Sequence, residues 1–146
     1  MKKQLMSSDA LLLRELYLKK KFPRGNVAII EVYLADETIF CAGATSQAKS
    51  PSPKPKPRSQ GGQFEPIVDS HSQRMMDTDA EYKAFSAIAE TLEQFGDRNI
   101  IGKLYLYTER KPCESCENVI EQFQQQYPKI EIAGIFWDHP YPTLSS

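Results

Sequence analysis

Lys111-Pro112-Cys113-Glu114-Ser115-Cys116 is the stretch on which the fold turns. Just upstream, residues 103–108 alternate Leu104 and Leu106 with Tyr105 and Tyr107, the period of a half-buried strand. Just downstream, residues 117–125 carry helical spacing. Cys113 and Cys116 fall on one face, continued by Ile120 and Phe123, and Pro128 stops the run. A C-x-x-C between a strand and a helix points to metal or redox chemistry. Further upstream, Asp79-Ala80-Glu81 opens a second helix. Two helix starts carrying thiols and carboxylates can meet at one edge of a sheet, so these two segments set the architecture.

Working outward, Thr78 or Asp77 is expected to cap the helix that carries Glu81, and Gly96 to end it. Phe85, Ile88, Ala89, Leu92 and Phe95 form its apolar stripe, and Glu81 lies on that same stripe. A carboxylate on a buried face is costly unless it is paired or functional. Residues 27–34 are rich in β-branched side chains and predict a buried strand. Asp36-Glu37 predicts a turn, and residues 38–44 a second strand completing a hairpin. Before them, Ser7 or Ser8 predicts the cap of a first helix with Leu11, Leu12, Leu13, Leu16 and Tyr17 as apolar positions, ended by Pro23 and Gly25. Residues 130–137 predict a fourth strand, and residues 138–146, with Pro140 and Pro142, an irregular tail.

Residues 45–63 differ in composition. Pro51, Pro53, Pro55 and Pro57 alternate with Ser and Lys, and the stretch ends in paired Gly. It predicts a long mobile loop, serving as a flap, as a strand-gripping arm or as a bare insertion. The order is α-β-β-α-β-α-β, an α/β chain that a three-layer α/β/α sandwich accommodates, and 146 residues predict a single domain.

The net charge of −1 excludes a protein that coats DNA through bulk charge. The basic residues are grouped, however: Lys19, Lys20, Lys21 and Arg24 in one cluster, Lys49, Lys54, Lys56 and Arg58 in another. Such groups meet a phosphate backbone, or are merely solvated. Three cysteines argue against a disulfide framework and for a reducing compartment. No apolar run is long enough to span a membrane, and the N-terminus does not read as a signal peptide.

Helix N-termini favour thiolates and carboxylates. Two thiolates and one further ligand leave a fourth zinc position for water, the open site that catalysis needs. Asp79 is the candidate third ligand, with the alternative that it only caps its helix. Glu81 is then placed to take and return protons. Two other readings remain. A thioredoxin-like redox pair also starts a helix after a strand, although Pro112 before Cys113 and the separate Asp-x-Glu weigh against it. A closed structural zinc site needs a fourth donor, for which Cys41, His71 and His139 are the remaining candidates. Cys41 reads as a core residue of the second strand and His71 as a solvated one, with His71 the better substitute for Asp79.

Thr78-Asp79-Ala80-Glu81-Tyr82-Lys83, and residues 106–116 (Leu106-Tyr107-Thr108-Glu109-Arg110-Lys111-Pro112-Cys113-Glu114-Ser115-Cys116) with the following Val119-Ile120-Glu121-Gln122-Phe123, resemble the deaminase domains of bacterial polymorphic toxins. These are members of the cytidine deaminase-like superfamily, whose usual signature is a His-x-Glu and a later Pro-Cys-x-x-Cys. Several toxin branches carry Asp-x-Glu instead. The resemblance covers residues 27–137 and is most specific over 76–128. It implies a mixed sheet flanked by helices, zinc held by Asp79, Cys113 and Cys116, and Glu81 as proton shuttle. It implies cytosine in nucleic acid as substrate, single-stranded DNA ahead of double-stranded DNA or RNA, because an unpaired base need not be flipped out. Gly43, Ala44 and Thr45 would line the base pocket. Trp137, followed by His139 and Tyr141, would stack on a base. The resemblance further implies a monomeric effector, secreted toward a target-cell cytoplasm or cytoplasmic itself, and restrained by an immunity protein. The fifth strand and last helix found in many superfamily members are expected to be absent. A free nucleoside or nucleotide deaminase, and an inactive deaminase fold used as a binding module, are the rival functions.

Overall fold

The computed structural model describes residues 2–19, 25–47, 49–52, 55–66, 79–110 and 114–139. The elements follow in the order α1 (Lys2–Leu13), β1 (Val27–Leu34), β2 (Ile39–Thr45), α2 (Ala80–Glu93), β3 (Gly102–Arg110), α3 (Glu114–Gln126) and β4 (Ile130–His139). The chain is mixed α/β, built on one four-stranded sheet with the spatial order β2-β1-β3-β4. β1 runs antiparallel to both β2 and β3, whereas β3 and β4 are parallel, joined through α3. No helix among the described residues is long and apolar enough to cross a membrane.

The β1–β2 connection is a tight hairpin. Glu37 turns the chain at φ 72°, the Leu34 amide donates to the Thr38 carbonyl at 2.8 Å, and the Thr38 amide is capped by Asp36 Oδ1 at 2.9 Å. β1 is buried along nearly its whole length because apolar layers cover both faces of the sheet. On one face Ala28, Ile30, Val32, Leu104 and Leu106 pack under α2 and α3, against Phe85, Ile88, Leu92, Val119 and Phe123. On the other, Val27, Ile29 and Tyr107 pack under Met6 and Ala10 of α1. The alternation of Leu104 and Leu106 with Tyr105 and Tyr107 therefore sorts leucines to one core and tyrosines to the other face.

The first helix departs from its sequence reading. It begins at Lys2, so Ser7 and Ser8 lie inside it rather than capping it, and Leu11, Leu12 and Leu16 are exposed. The buried set is instead Met6, Ala10, Arg14 and Leu18, spaced by four along one face. The last turn, Arg14–Leu18, widens to a π-turn that closes with the Lys19 amide on the Arg14 carbonyl at 2.8 Å and Lys19 at φ 55°. Arg14 is turned into the protein, where Nε and Nη2 form a two-pronged ion pair with Glu109 of β3, at 2.8 and 2.5 Å. Glu109 Oε1 also accepts from the Val27 amide at 3.0 Å, and Arg14 Nη2 donates to the Gly25 carbonyl at 3.1 Å. α1 is tied to β4 through Lys3–Asp138 at 3.1 Å and through the Ser7 hydroxyl, which donates to Asp138 at 3.0 Å; the Tyr107 hydroxyl of β3 donates to the same carboxylate at 2.5 Å.

Element boundaries also move. β2 runs to Thr45 and β4 to His139, one and two residues beyond expectation, so Asp138 and His139 are strand rather than tail. Residues 140–146, expected to be irregular, lie outside the described residues. Phe95 is substantially exposed instead of completing the α2 stripe, because α2 ends at Glu93. Cys41, expected in the core, is exposed: it sits on the edge strand opposite Glu31 of β1.

The Pro-rich connection has more structure than its composition suggests. Arg58–Gln60 form a 3-10 turn, and Phe64 is fully buried against Phe123 and receives the Tyr82 hydroxyl on its carbonyl at 2.7 Å. At its start the chain folds back on β2. Ser50 Oγ accepts from the Thr45 amide at 2.9 Å, and Ser52 Oγ donates to the Gly43 carbonyl at 2.7 Å. These bonds satisfy polar groups of an edge strand that would otherwise invite a foreign strand.

Candidate active site

The N-terminus of α2 sits over one rung of the sheet. Ala44 of β2, Ala28 of β1, Thr108 of β3 and Trp137 of β4 are register partners across all four strands. Ala28 and Ala44 belong to the core under α2 and α3. Trp137 lies on the same face as Ile135, which packs against that core, and stays 38% exposed.

Glu81 is 2% exposed. Its Oε1 accepts two hydrogen bonds, from Thr108 Oγ1 at 2.6 Å and from Asn26 Nδ2 at 3.1 Å. Asn26 Nδ2 also donates to Thr108 Oγ1 at 2.9 Å, closing a triangle of three buried polar groups. Glu81 Oε2 is buried and has no hydrogen-bond donor. One oxygen is thus immobilised and the other is left bare, an asymmetry that a purely structural carboxylate would not need.

Asp79 is the N-cap of α2, and its Oδ2 accepts from the Tyr82 amide at a long 3.4 Å. The residue keeps some solvent contact, but its carboxyl is desolvated. That burial, and then the charge of Glu81 and a hydrogen bond shared with it, hold the Asp79 carboxyl well above the usual carboxylate range. Burial and the neighbouring Glu81 both penalise the charged form of the Asp79 carboxyl. A cation at this position would offset that penalty.

Cys116 is fully buried in the first turn of α3, which packs against α2, and it shares the core with Ala80. Cys113 and His71 lie outside the described residues. Among the described residues no group of three or more His, Cys, Asp or Glu is close enough to hold a metal ion. What is described is two of the expected donors, Asp79 and Cys116, each at the start of one of two neighbouring helices. An oxygen and a sulfur donor with a carboxyl that favours a positive neighbour is a donor set suited to zinc.

The residues expected to line a base pocket are divided by the sheet. Ala44 faces α2 and is fully buried. A Cβ built on Gly43 would stand 2.6 Å from Leu13 Cδ1, on the α1 side, so Gly43 permits the close approach of Leu13 and does not face Glu81. Thr45 is fully buried. Its hydroxyl donates to the Lys49 carbonyl at 2.5 Å, which shapes the start of the loop. For His139 only the backbone is described, and Tyr141 lies outside the described residues.

Asn26, Thr108, Lys83 and the Arg14–Glu109 pair are the residues that the sequence alone did not single out. Asn26 precedes a β-branched run, and Thr108 ends an alternating one, so each passes for an ordinary strand terminus. Lys83 lies beside the apolar stripe of α2 and passes for a solvated lysine, yet it is 2% exposed.

Residues 18–136 match the model of a toxin-deaminase family, described as the BURPS668_1122 family of deaminases. No match was found among curated proteins. The matched span takes in β1 through α3 and most of β4, with Asn26, Asp79, Glu81, Thr108, Cys113 and Cys116 all inside it. The chain belongs to this family of toxin deaminases.

Proposed function

We propose that this chain is a zinc-dependent deaminase that converts cytosine to uracil in nucleic acid, single-stranded DNA foremost, and serves as a toxin effector on a three-layer cytidine deaminase-like scaffold. The observation that carries the reading is Glu81: buried, held by two donors at one oxygen and bare at the other, beside an Asp79 carboxyl that burial and Glu81 hold well above the usual carboxylate range. Asp79, Cys113 and Cys116 would hold the zinc. When bound, zinc supplies a Lewis acid that lowers the pKa of the attacking water.

The chain's own groups do the rest. Glu81 Oε2 accepts a proton from the water as its oxygen bonds to C4 of the ring. It passes that proton to N3, takes the second proton from the new hydroxyl and delivers it to the departing amine, which leaves as ammonia. Cytosine and water thus become uracil and ammonia, and Glu81 ends as it began. Thr108 and Asn26 keep Oε1 out of this traffic and fix the direction of Oε2. Trp137 offers an exposed ring at the same rung for base stacking, and Ala44 and Thr45 border the rung from β2. Exposed Lys49, Lys56 and Arg58 on the loop after β2 supply cations for phosphates. As an effector the protein would act in a target cell and be countered by an immunity protein.

The test is uracil formation on matched substrates: single- and double-stranded DNA, RNA, free cytidine and free deoxycytidine monophosphate. The expected result is the fastest turnover on single-stranded DNA, slower turnover on RNA and duplex, and little on the free compounds, with rates falling steeply as salt rises. Turnover confined to free cytidine or its monophosphate would replace the nucleic-acid substrate with a nucleotide one. No uracil on any of them would remove the deamination of cytosine.

A further inference from the structure

The ammonium of Lys83 is buried beneath the start of the long β2–α2 connection. Nζ donates to the Thr45 carbonyl at 2.8 Å and to the Gln47 carbonyl at 2.7 Å. Removing an ammonium from water is expensive unless its hydrogen bonds are replaced. Thr45 folds the same turn from the other side: its hydroxyl donates to the Lys49 carbonyl at 2.5 Å and accepts from the Gln47 amide at 3.2 Å. Ser46 adds a third fastening, donating its amide to the Asn26 carbonyl at 2.9 Å while its hydroxyl accepts from the Asn26 amide at 2.8 Å. Thr45, Ser46 and Gln47 are therefore bolted to two elements of the site: to α2 through Lys83, and to Asn26, whose side chain holds Glu81. Exposed Lys49 lies at the end of this turn, with Lys56 and Arg58 beyond it.

We infer that Lys83 is a positioning residue that fixes the loop after β2 against α2, so that the loop's basic side chains grip a polynucleotide strand in register with Glu81. It acts through the loop and does not touch the reacting base. The inference rests on the nucleic-acid reading for its purpose, but the tether itself can be measured without turnover.

The experiment compares the unaltered protein with Lys83→Met and Lys83→Arg. Three readouts are taken: amide hydrogen exchange over residues 45–52, binding of a fluorescent single-stranded oligodeoxynucleotide, and steady-state deamination. Losing hydrogen bonds to a charged group weakens a contact enough for a shift of about tenfold or more. In Lys83→Met, exchange over residues 45–52 is expected to quicken by that amount while β1, β3 and the body of α2 stay protected. Oligonucleotide Kd and KM should rise by about tenfold with kcat within about threefold, and Lys83→Arg should recover most of the binding. Loop amides as slow as in the unaltered protein would overturn the tether. A loosened loop with unchanged Kd, or a fall in kcat alone, would overturn its role in substrate grip. If Lys83→Met does not fold, the unaltered protein decides: exchange over residues 45–49 as fast as in an unstructured peptide overturns the tether, and protection matching that of β2 supports it. If no substrate is turned over, the function proposed above fails, while the exchange comparison still tests the tether.

Discussion

Glu81→Gln is expected to abolish deamination and leave the fold at least as stable. The loss should be about a thousandfold, within the range for removing a general acid–base group. The geometry makes this a clean experiment. Gln keeps a carbonyl oxygen that can occupy the place of Oε1, so the bonds from Thr108 at 2.6 Å and Asn26 at 3.1 Å survive. Its amide nitrogen then takes the place of Oε2, which has no donor. Removing the Glu81 charge also relieves part of what holds the Asp79 carboxyl above the usual range. The thermal midpoint should therefore stay or rise while kcat collapses, with oligonucleotide Kd unchanged. Residual turnover within tenfold of the unaltered protein would move the proton transfer to another group.

Breaking the Arg14–Glu109 pair is expected to produce the largest loss of stability. Both side chains are nearly inaccessible, at 5% and 6% exposure, so removing either leaves a buried charge without its counterion. Such single changes cost about 3–5 kcal/mol. Arg14→Met and Glu109→Gln, measured by urea unfolding, should each fall in that range. The double variant should cost clearly less than the sum, because the stranded charge is then absent. The Gly25 carbonyl loses its Arg14 donor in the double variant, so the double change is not expected to be neutral. Additive losses in the double variant would contradict the pairing. Glu109 also lies near the end of the strand that leads to Cys113, so the pair anchors the first helix to the segment delivering the thiols.

The strands and the two site helices were legible because their signals are local. Residues 27–34 are rich in β-branched side chains, and residues 103–108 alternate, so β1 and β3 followed from the sequence and differ from expectation only at the ends of β3. Glu81 betrayed itself by lying on an apolar stripe. The first helix was misread for the opposite reason. Its leucines imply an inward face at Leu11, Leu12 and Leu16, but the face that packs carries Arg14. An arginine becomes an inward residue only when its acid is known, and Glu109 is 95 residues away. Asn26 and Thr108 were hidden likewise, since Asn26 meets Glu81 across 55 residues and Thr108 across 82. Lys83 sits next to Tyr82 on a helix whose sequence neighbours are mixed, and only the returning loop gives it carbonyls to bind. Cys41 shows the limit of composition: a strand cysteine is inward or outward by one step of register.

The measurement that tests the central claim most directly is the zinc content of the purified protein and of four variants. About one zinc per chain is expected in the unaltered protein and in Glu81→Gln, with strong loss in Asp79→Ala, Cys113→Ser and Cys116→Ser. Full zinc in Asp79→Ala, or none in the unaltered protein purified without chelator, would contradict the site drawn here.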